Sequence, residues 1–285
     1  MTTAPQPVSP GHVADYYDRL TDLLDEAAEG NLHFGYWPPP HDGSSLGVAA
    51  DRLTDHLIGK LGDVSGGRVL DVGCGSGKPA VQLARSTSAA EVVGVTISTV
   101  QVERATALAR RAGVADRVRF ECADAMSLPF PDESFDAVWA LECMHHMPSQ
   151  AQVLGEIARV LRPGGRLAVM DLVLRGQASE QDSDAYDRAR PVFAVSGHTE
   201  LAEFPRLVCG AGLHLEEMAD LGDDIVPPSM EGLRQAVCDK REDFAAAFGI
   251  ELDKFDAFVK ECTQIGQGDN LGYVVLTAKR PGRRP

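Results

Sequence analysis

Three glycines at alternate positions follow a short apolar run that ends in an acidic residue. The segment reads Arg-Val-Leu-Asp-Val-Gly-Cys-Gly-Ser-Gly-Lys over residues 68–78, with glycines at positions 73, 75 and 77. The residues before the glycines are typical of a buried β-strand, and residues 79–85 are typical of a helix. Alternate glycines allow a sharp turn and let a ligand reach bare main chain. The stretch therefore predicts a strand, a turn and a helix N-terminus, the ligand-binding corner of a doubly wound sheet.

The spacing of these glycines excludes two common nucleotide-binding motifs. A dinucleotide fingerprint has a glycine three residues after its second glycine, and Lys78 stands at that position. A P-loop needs four residues between a glycine and a Gly-Lys-Ser/Thr triplet, and this segment has no such arrangement.

The chain around the glycine turn alternates strand-like and helix-like segments. Further strands are expected at 91–95, 118–122, 135–140 and 166–172, mostly separated by helical patterns and joined by short turns. This order predicts an α/β fold, Rossmann-like and doubly wound, with helices on both faces of a mostly parallel sheet. Two later strands, at 213–221 and 271–278, are expected to complete seven.

Four regions are expected along the 285 residues. Residues 1–62 are expected to form an N-terminal helical arm or lid, and residues 63–176 the Rossmann-like core. Residues 177–268 are expected to form a helical cap over the substrate, apart from the core strand at 213–221. Residues 269–285 supply the final strand and a tail.

Within these regions the apolar spacing predicts individual helices and one break. Helices are expected at 11–29 and 46–61 in the arm, and at 231–248 and 252–262 in the cap. The Pro227-Pro228 pair is expected to interrupt the cap, because proline lacks a backbone N–H and clashes inside a helix.

The charge balance bears on possible partners. There are 27 Lys and Arg against 42 Asp and Glu, which gives a formal net charge of −15. Such a surface repels phosphate backbones and anionic lipids, so neither nucleic acid nor membrane is an expected partner. No signal peptide or membrane-spanning run is evident. The six cysteines are scattered without a Cys-x-x-Cys pair, so we expect a cytoplasmic protein without a metal site.

The glycine turn and three later segments resemble the class I S-adenosylmethionine-dependent methyltransferases. Asp-x-Gly-x-Gly-x-Gly is similar to motif I of that family, and similar segments follow at 94–101, 122–130 and 162–166. The resemblance implies S-adenosyl-L-methionine as cofactor and S-adenosyl-L-homocysteine as product. The implied cofactor-binding residues are Asp71, Gly73, Gly75, Thr96, Ser98, Gln101, Asp124, Ala125, Leu141 and His146.

One position departs from that family pattern. Thr96 stands where many members carry an acid that holds both ribose hydroxyls. A subgroup of small-molecule methyltransferases has a similar turn, which implies that Ser98, Gln101 and backbone groups hold the ribose and the methionyl part. Asp124 is expected to accept the adenine amino hydrogens.

The strand at 135–140 runs out into two adjacent histidines, and Asp171 ends the neighbouring strand. Ligands in open α/β sheets bind beyond the carboxyl ends of the strands, so we expect His146 and Asp171 to lie close together. His146 is the expected general base or cofactor-adjacent donor, with Asp171 as its orienter or as a second base. His145 is the alternative base. On an extended segment adjacent side chains diverge, so one histidine is expected to be structural.

Aromatic residues before the sheet suggest a cover. Tyr16, Tyr17, His33 and Trp37 could close over cofactor and substrate as a lid, or they could simply pack the N-terminal helices. This arm could also pack on another subunit, giving a homo-oligomer.

Longer stretches resemble the bacterial natural-product methyltransferases typified by the rebeccamycin sugar O-methyltransferase. The resemblance rests on residues 22–24, 31–37, 77–81 and 139–147. It implies a small-molecule acceptor, most simply a hydroxyl oxygen methylated in natural-product or antibiotic biosynthesis, with the two histidines and Asp171 deprotonating it. Alternatives are N- or C-methylation of an indole-type or other electron-rich scaffold, and a non-catalytic cofactor-binding scaffold or regulator.

Overall fold

Seven strands form one sheet in the computed structural model, which describes residues 8–39, 42–176 and 180–282. The strands are β1 (Arg68–Val72), β2 (Glu91–Thr96), β3 (Val118–Cys122), β4 (Phe135–Leu141), β5 (Leu161–Leu174), β6 (His214–Asp220) and β7 (Leu271–Lys279). Their spatial order is β3-β2-β1-β4-β5-β7-β6. Strands β1 to β5 are parallel, and β7 runs antiparallel to β5 and β6. The predicted mostly parallel, seven-stranded sheet is confirmed.

Ten α-helices accompany the sheet within the described residues. They are α1 (Pro10–Ala27), α2 (Leu46–Leu61), α3 (Lys78–Ser86), α4 (Thr99–Arg111), α5 (Gln150–Val160), α6 (Glu180–Val192), α7 (Phe204–Gly210), α8 (Gly222–Asp239), α9 (Arg241–Phe248) and α10 (Leu252–Gln267). None of these helices combines the length and apolar character that a membrane crossing requires.

The side chains of the strands alternate between two cores. Val69 of β1 packs with α2, α3, α4 and α8 on one face, whereas Leu70 and Val72 pack with α5 and α7 on the other. This alternation follows from the two-residue period of a strand. Burial of both faces explains why the central strands are almost continuously apolar. A third cluster joins α1 to α9 and α10, outside the sheet.

The sheet reverses its order between β1 and β4. From β1 the chain first builds outward through β2 and β3, and then returns to place β4 on the other side of β1. Val72 lies in register with both Val95 and Ala140, so the carboxyl ends of β1, β2 and β4 meet at one edge. Such a reversal opens a crevice for ligands.

The expected break at Pro227-Pro228 is wrong. Both prolines lie within α8, and the chain leaves helical conformation instead at Lys240, between α8 and α9. The prolines fall near the start of α8, so the carbonyls that lose a partner are those of Asp223 and Asp224 in the first turn. Asp223 is exposed, and water can bond its carbonyl.

Candidate active site

A cavity opens at the carboxyl end of β1, around the glycine turn. Gly73 and Gly77 have φ angles of +73° and +86°, which favour glycine. A Cβ on Gly73 would lie 2.3 Å from the Cβ of Cys143, and one on Gly77 would lie 2.6 Å from the Cβ of Ala105. The turn is therefore packed so closely that side chains are excluded at both positions. We name this space the cofactor cavity.

Asp71 brings a buried carboxyl group to the cofactor cavity. Its side chain is buried, and its Oδ2 atom has no hydrogen-bond partner among the described residues. Burial raises the pKa of this carboxyl to about 7. A buried carboxyl oxygen without a partner is costly, so the arrangement fits a ligand that brings a cationic donor to it.

Most of the other predicted cofactor residues lie around the same cavity. The Thr96 hydroxyl donates to Gln101 Oε1 over 2.6 Å, and Asp124 Oδ1 accepts the Met126 backbone N–H at 2.8 Å. The structure thus brings together residues from the ends of β1, β2, β3 and β4. The predicted residues that line the cavity are Asp71, Gly73, Gly75, Thr96, Gln101, Asp124, Ala125, Leu141 and His146.

Ser98 is the exception, and the expectation that it holds the ribose is corrected. It is fully buried and does not line the cavity. Its hydroxyl accepts the Gln101 backbone N–H at 3.0 Å, which caps the N-terminus of α4, and donates to the Asp18 carboxylate. The side chain is used in holding α4 to α1.

A second cavity lies beside the first. Its wall combines α1, α6, α8, α9 and α10 and is mainly apolar. Phe193 and Phe258 stack with their ring centroids 5.8 Å apart. The cavity suits a large ligand of apolar character. Its apolar lining includes Leu24, Phe34, Leu46, Leu172, Phe193, Met230, Leu233, Val237, Phe244, Phe248, Phe258 and Val259. We name this space the acceptor cavity.

The two cavities meet at shared residues. Tyr17, Leu32, His33, Glu142 and His146 line both of them. A group that passes from a ligand in one cavity to a ligand in the other must therefore pass at these side chains.

Asp171 holds His145, not His146. Its Oδ1 atom accepts the His145 Nδ1–H at 2.5 Å, and its Oδ2 atom accepts the Met144 backbone N–H at 2.7 Å. Burial lowers the pKa of His145, but the adjacent Asp171 carboxylate more than offsets this and raises it above the ordinary value. The ring lines the acceptor cavity, and its Nε2 atom has no hydrogen-bond partner in the described part of the chain. The expected pairing of Asp171 with His146 is wrong.

His146 is fixed as a neutral ring between two other partners. Its Nδ1–H donates to the Ala194 carbonyl at 3.0 Å, and its Nε2 accepts the Tyr17 hydroxyl at 2.7 Å. Burial and the neighbouring His145 lower its pKa to about 3. Both histidines lie in a 3₁₀ turn, Met144–His146, which advances about 120° per residue. Their ring centroids are consequently only 4.1 Å apart, and the expected divergence of an extended segment does not occur.

The aromatic residues before the sheet divide into two groups. Tyr17 and His33 line both cavities, and Tyr16 lines the acceptor cavity. Burial lowers the pKa of His33 to about 4, so this ring is neutral. Trp37 lines neither cavity, because its buried indole N–H donates to the Ser44 carbonyl at 3.1 Å and its ring packs inside the N-terminal region. Of the two alternatives for Trp37, a lid or packing of the N-terminal region, its burial favours packing.

Glu142 is a site residue that the sequence reasoning did not single out. It adopts a φ of +46°, which is rare for glutamate and marks strain of the kind found at functional sites. Its Oε1 atom accepts the Phe34 backbone N–H at 2.9 Å and the Tyr273 hydroxyl at 2.7 Å. Burial raises its pKa to about 7. An acid directly after an apolar strand, at the sheet's carboxyl edge, is the signal that could have identified it.

Comparisons with known proteins agree with this geometry. The family described as Methyltransferase domain matches residues 70–169. The chain is 42% identical to 27-O-demethylrifamycin SV methyltransferase of Amycolatopsis mediterranei, over 96% of this chain and 98% of that one. It is 39% identical to methyltransferase GfsG of Streptomyces halstedii, over 94% of each chain. Among solved structures, the [4+2]-cyclase SpnF superposes with a TM-score of 0.84 at 31% identity, covering 99% of this chain and 100% of that one.

Proposed function

Since the chain belongs to the class I S-adenosylmethionine-dependent methyltransferases, we propose that it methylates a hydroxyl oxygen of a large, apolar natural product. The observation that carries this proposal is the His145–Asp171 pair, which presents a free ring nitrogen in the acceptor cavity beside the junction with the cofactor cavity. A base placed there can reach a hydroxyl that faces the transferred methyl group.

The residues around the cofactor cavity fit S-adenosylmethionine. The unpartnered Asp71 oxygen suits the ammonium of the methionyl part, and the glycine turn leaves backbone open to it. We propose that Thr96 and Gln101 contact the ribose, and that Asp124 and Ala125 contact the adenine. When bound, the cofactor supplies a methyl group already activated by a sulfonium.

The protein's own task is to orient the acceptor and to remove one proton. Asp171 fixes His145 as the tautomer with hydrogen on Nδ1, so that Nε2 is the proton acceptor. His145 Nε2 takes the hydroxyl proton as the oxygen attacks, which makes an alcohol a competent nucleophile. The neutral His146 and Tyr17 form the fixed wall at the junction and hold the two reactants in line.

Transfer to nitrogen or carbon is the less favoured chemistry. An electron-rich nucleus needs little help from a base, whereas this site places a histidine with a raised pKa against a buried carboxylate. The likeness to a [4+2]-cyclase favours a second candidate, in which the chain holds its cofactor and acts on the acceptor without methyl transfer.

Turnover separates these candidates. We expect purified protein with S-adenosylmethionine and 27-O-demethylrifamycin SV, the probe that the relative's name suggests, to yield one S-adenosylhomocysteine per O-methylated product, measured by mass spectrometry. A panel of hydroxylated and amino scaffolds and producer-strain extracts extends the assay. Cofactor binding by calorimetry without formation of S-adenosylhomocysteine on any acceptor would favour the second candidate. Methylation confined to amino or carbon positions would contradict O-transfer.

The net charge of the chain bears on partners other than the acceptor. We propose that nucleic acids and anionic membranes are not partners, because the net charge of −15 repels both. The homo-oligomer through the N-terminal arm and the cytoplasmic location stay predictions from the sequence.

Cofactor affinity is expected to rise with pH. The Asp71 carboxyl, with a pKa of about 7, must be ionised to bind an ammonium, so binding below that value requires loss of its proton. We expect Kd to increase by up to about tenfold per pH unit below pH 7, measured by calorimetry between about pH 5.5 and 8. Asp71→Asn should bind weakly with a flatter profile. Glu142, whose pKa is also raised to about 7, is present in both the wild type and Asp71→Asn. If the cofactor Kd changed equally with pH in these two proteins, the role of Asp71 would be contradicted.

A further inference from the structure

Three residues that line the acceptor cavity each carry a buried polar atom without a partner. These atoms are the Tyr186 hydroxyl, Arg190 Nε and His198 Nδ1, and none has a hydrogen bond to the described part of the chain. All three residues line the acceptor cavity, and none of them takes part in the chemistry proposed above. Buried polar groups nearly always have a hydrogen-bond partner, so we expect a bound ligand to supply the missing hydrogen bonds of these three groups.

The three groups lie on one side of the cavity, next to His145. Tyr186 and Arg190 are four residues apart on α6 and therefore share a helix face. The centroid of the His198 ring is 5.2 Å from that of Tyr186 and 5.4 Å from that of His145. The guanidinium of Arg190 bonds the Ser196 carbonyl, which holds it against the loop that carries His198.

The chemistry of the cluster defines what it can bind. Arg190 Nε can only donate a hydrogen bond, and the Tyr186 hydroxyl can donate or accept one. Burial and the neighbouring His145 lower the pKa of His198 well below its ordinary value, although a contact with the Leu172 backbone acts in the opposite direction. The ring is therefore neutral, with one nitrogen as donor and the other as acceptor. The Asp187 carboxylate lies 3.7 Å from Arg190 Nη1 and balances the guanidinium charge. Such a set is therefore complementary to a neutral oxygen, a hydroxyl or carbonyl, on a ligand whose remaining surface is apolar.

We propose that Tyr186, Arg190 and His198 form a polar subsite that binds a second oxygen of the acceptor, close to the hydroxyl that is methylated. The inference rests on the proposed function and narrows its substrate class. The acceptor is an apolar scaffold with neighbouring oxygens, such as a diol or a hydroxyketone, because His198 lies directly beside the base His145. The subsite fixes which of the two oxygens reaches His145.

A matched pair of probes tests the subsite without any need for turnover. Protein saturated with S-adenosylhomocysteine is titrated with 2,3-dihydroxynaphthalene and with 2-naphthol, and binding is followed by calorimetry or naphthol fluorescence. We expect the diol to bind about fivefold to tenfold more tightly than the mono-ol. Tyr186→Phe and His198→Phe should each bring this ratio toward one, while the affinity for 2-naphthol stays within about twofold.

Tyr36→Phe is the matched control. It removes the same hydroxyl from a residue whose ring meets His56 edge to face and does not line the acceptor cavity, so it should keep the wild-type ratio. Since the Tyr186 hydroxyl has no partner to lose, Tyr186→Phe should melt no lower than wild type. Equal affinities in the wild type, no binding of the diol, or a ratio unchanged by both variants would overturn the subsite. A preserved ratio in a protein that never methylates would leave the subsite standing and refute the proposed function.

Discussion

Replacing His145 with alanine is expected to lower kcat by about 10²–10⁴-fold while the cofactor Kd changes little. His145 is the histidine whose Nε2 is free in the acceptor cavity and whose Nδ1–H is held by Asp171 at 2.5 Å. The alternative base, His146, already accepts the Tyr17 hydroxyl and has a pKa lowered to about 3. Steady-state kinetics with saturating acceptor measures the loss, and calorimetry measures the cofactor Kd.

Two further variants sharpen this test. Asp171→Asn removes the carboxylate that selects the His145 tautomer, so kcat should fall by a comparable factor. His214→Ala, at an exposed position, is the matched histidine control and should leave kcat unchanged. The acidic limb of kcat/KM should lie above the ordinary histidine pKa, because His145 must lose its proton to act. A larger loss in His146→Ala than in His145→Ala would instead assign the base to His146.

Adding one methyl group at Gly73 is expected to weaken cofactor binding by more than about 100-fold. The Cβ of Gly73→Ala would lie 2.3 Å from the Cβ of Cys143, far inside van der Waals contact. The turn would have to move, and it carries the backbone that faces the cofactor. The φ of +73° adds a cost of about 1–2 kcal/mol for any residue with a side chain. Calorimetric titration with S-adenosylhomocysteine reports the change in affinity.

Gly113→Ala is the control that separates the steric collision with Cys143 from the conformational cost of a side chain at positive φ. Gly113 has a φ of +71°, almost equal to that of Gly73, but a Cβ there would meet no atom within 4 Å. Both variants should lose some thermal stability, and only Gly73→Ala should lose the cofactor. Equal affinities in the two variants would show that the glycine turn does not form the cofactor site.

The sheet and the cofactor cavity were accessible from the sequence because each depends on local chemistry. The strand that contains Asp71 and the glycine turn after it are both determined by residues that follow one another in the sequence. The parallel topology then follows from the β–α alternation, which brings the ends of β1 and β2 and the Asp124 loop to one edge. Glu142 directly follows β4 at the same edge of the sheet, so an acid there could have been singled out from the sequence as Asp71 was.

Side-chain direction was not accessible in the same way. The exchange of roles between His145 and His146 depends on a 3₁₀ turn of three residues. The spacing of apolar residues does not predict so short a turn. Ser98 was misplaced, and Trp37 was left between two alternatives, because a polar side chain near a site can equally well cap a helix or bond the backbone. The cluster of Tyr186, Arg190 and His198 depends on how α6 packs against α10 and on the loop that brings His198 beside Tyr186.

Leu32 and His33 line both cavities, and the adjacent Phe34 ties this segment to the core through the hydrogen bond from its backbone N–H to Glu142. The same short segment therefore forms part of the wall of both cavities. Neither the donor nor the acceptor can be exchanged without disturbing the wall of the other, so loading and emptying are expected to be ordered. We expect the overall turnover rate to be limited by how often the hydrogen bond from the Phe34 backbone N–H to Glu142 breaks.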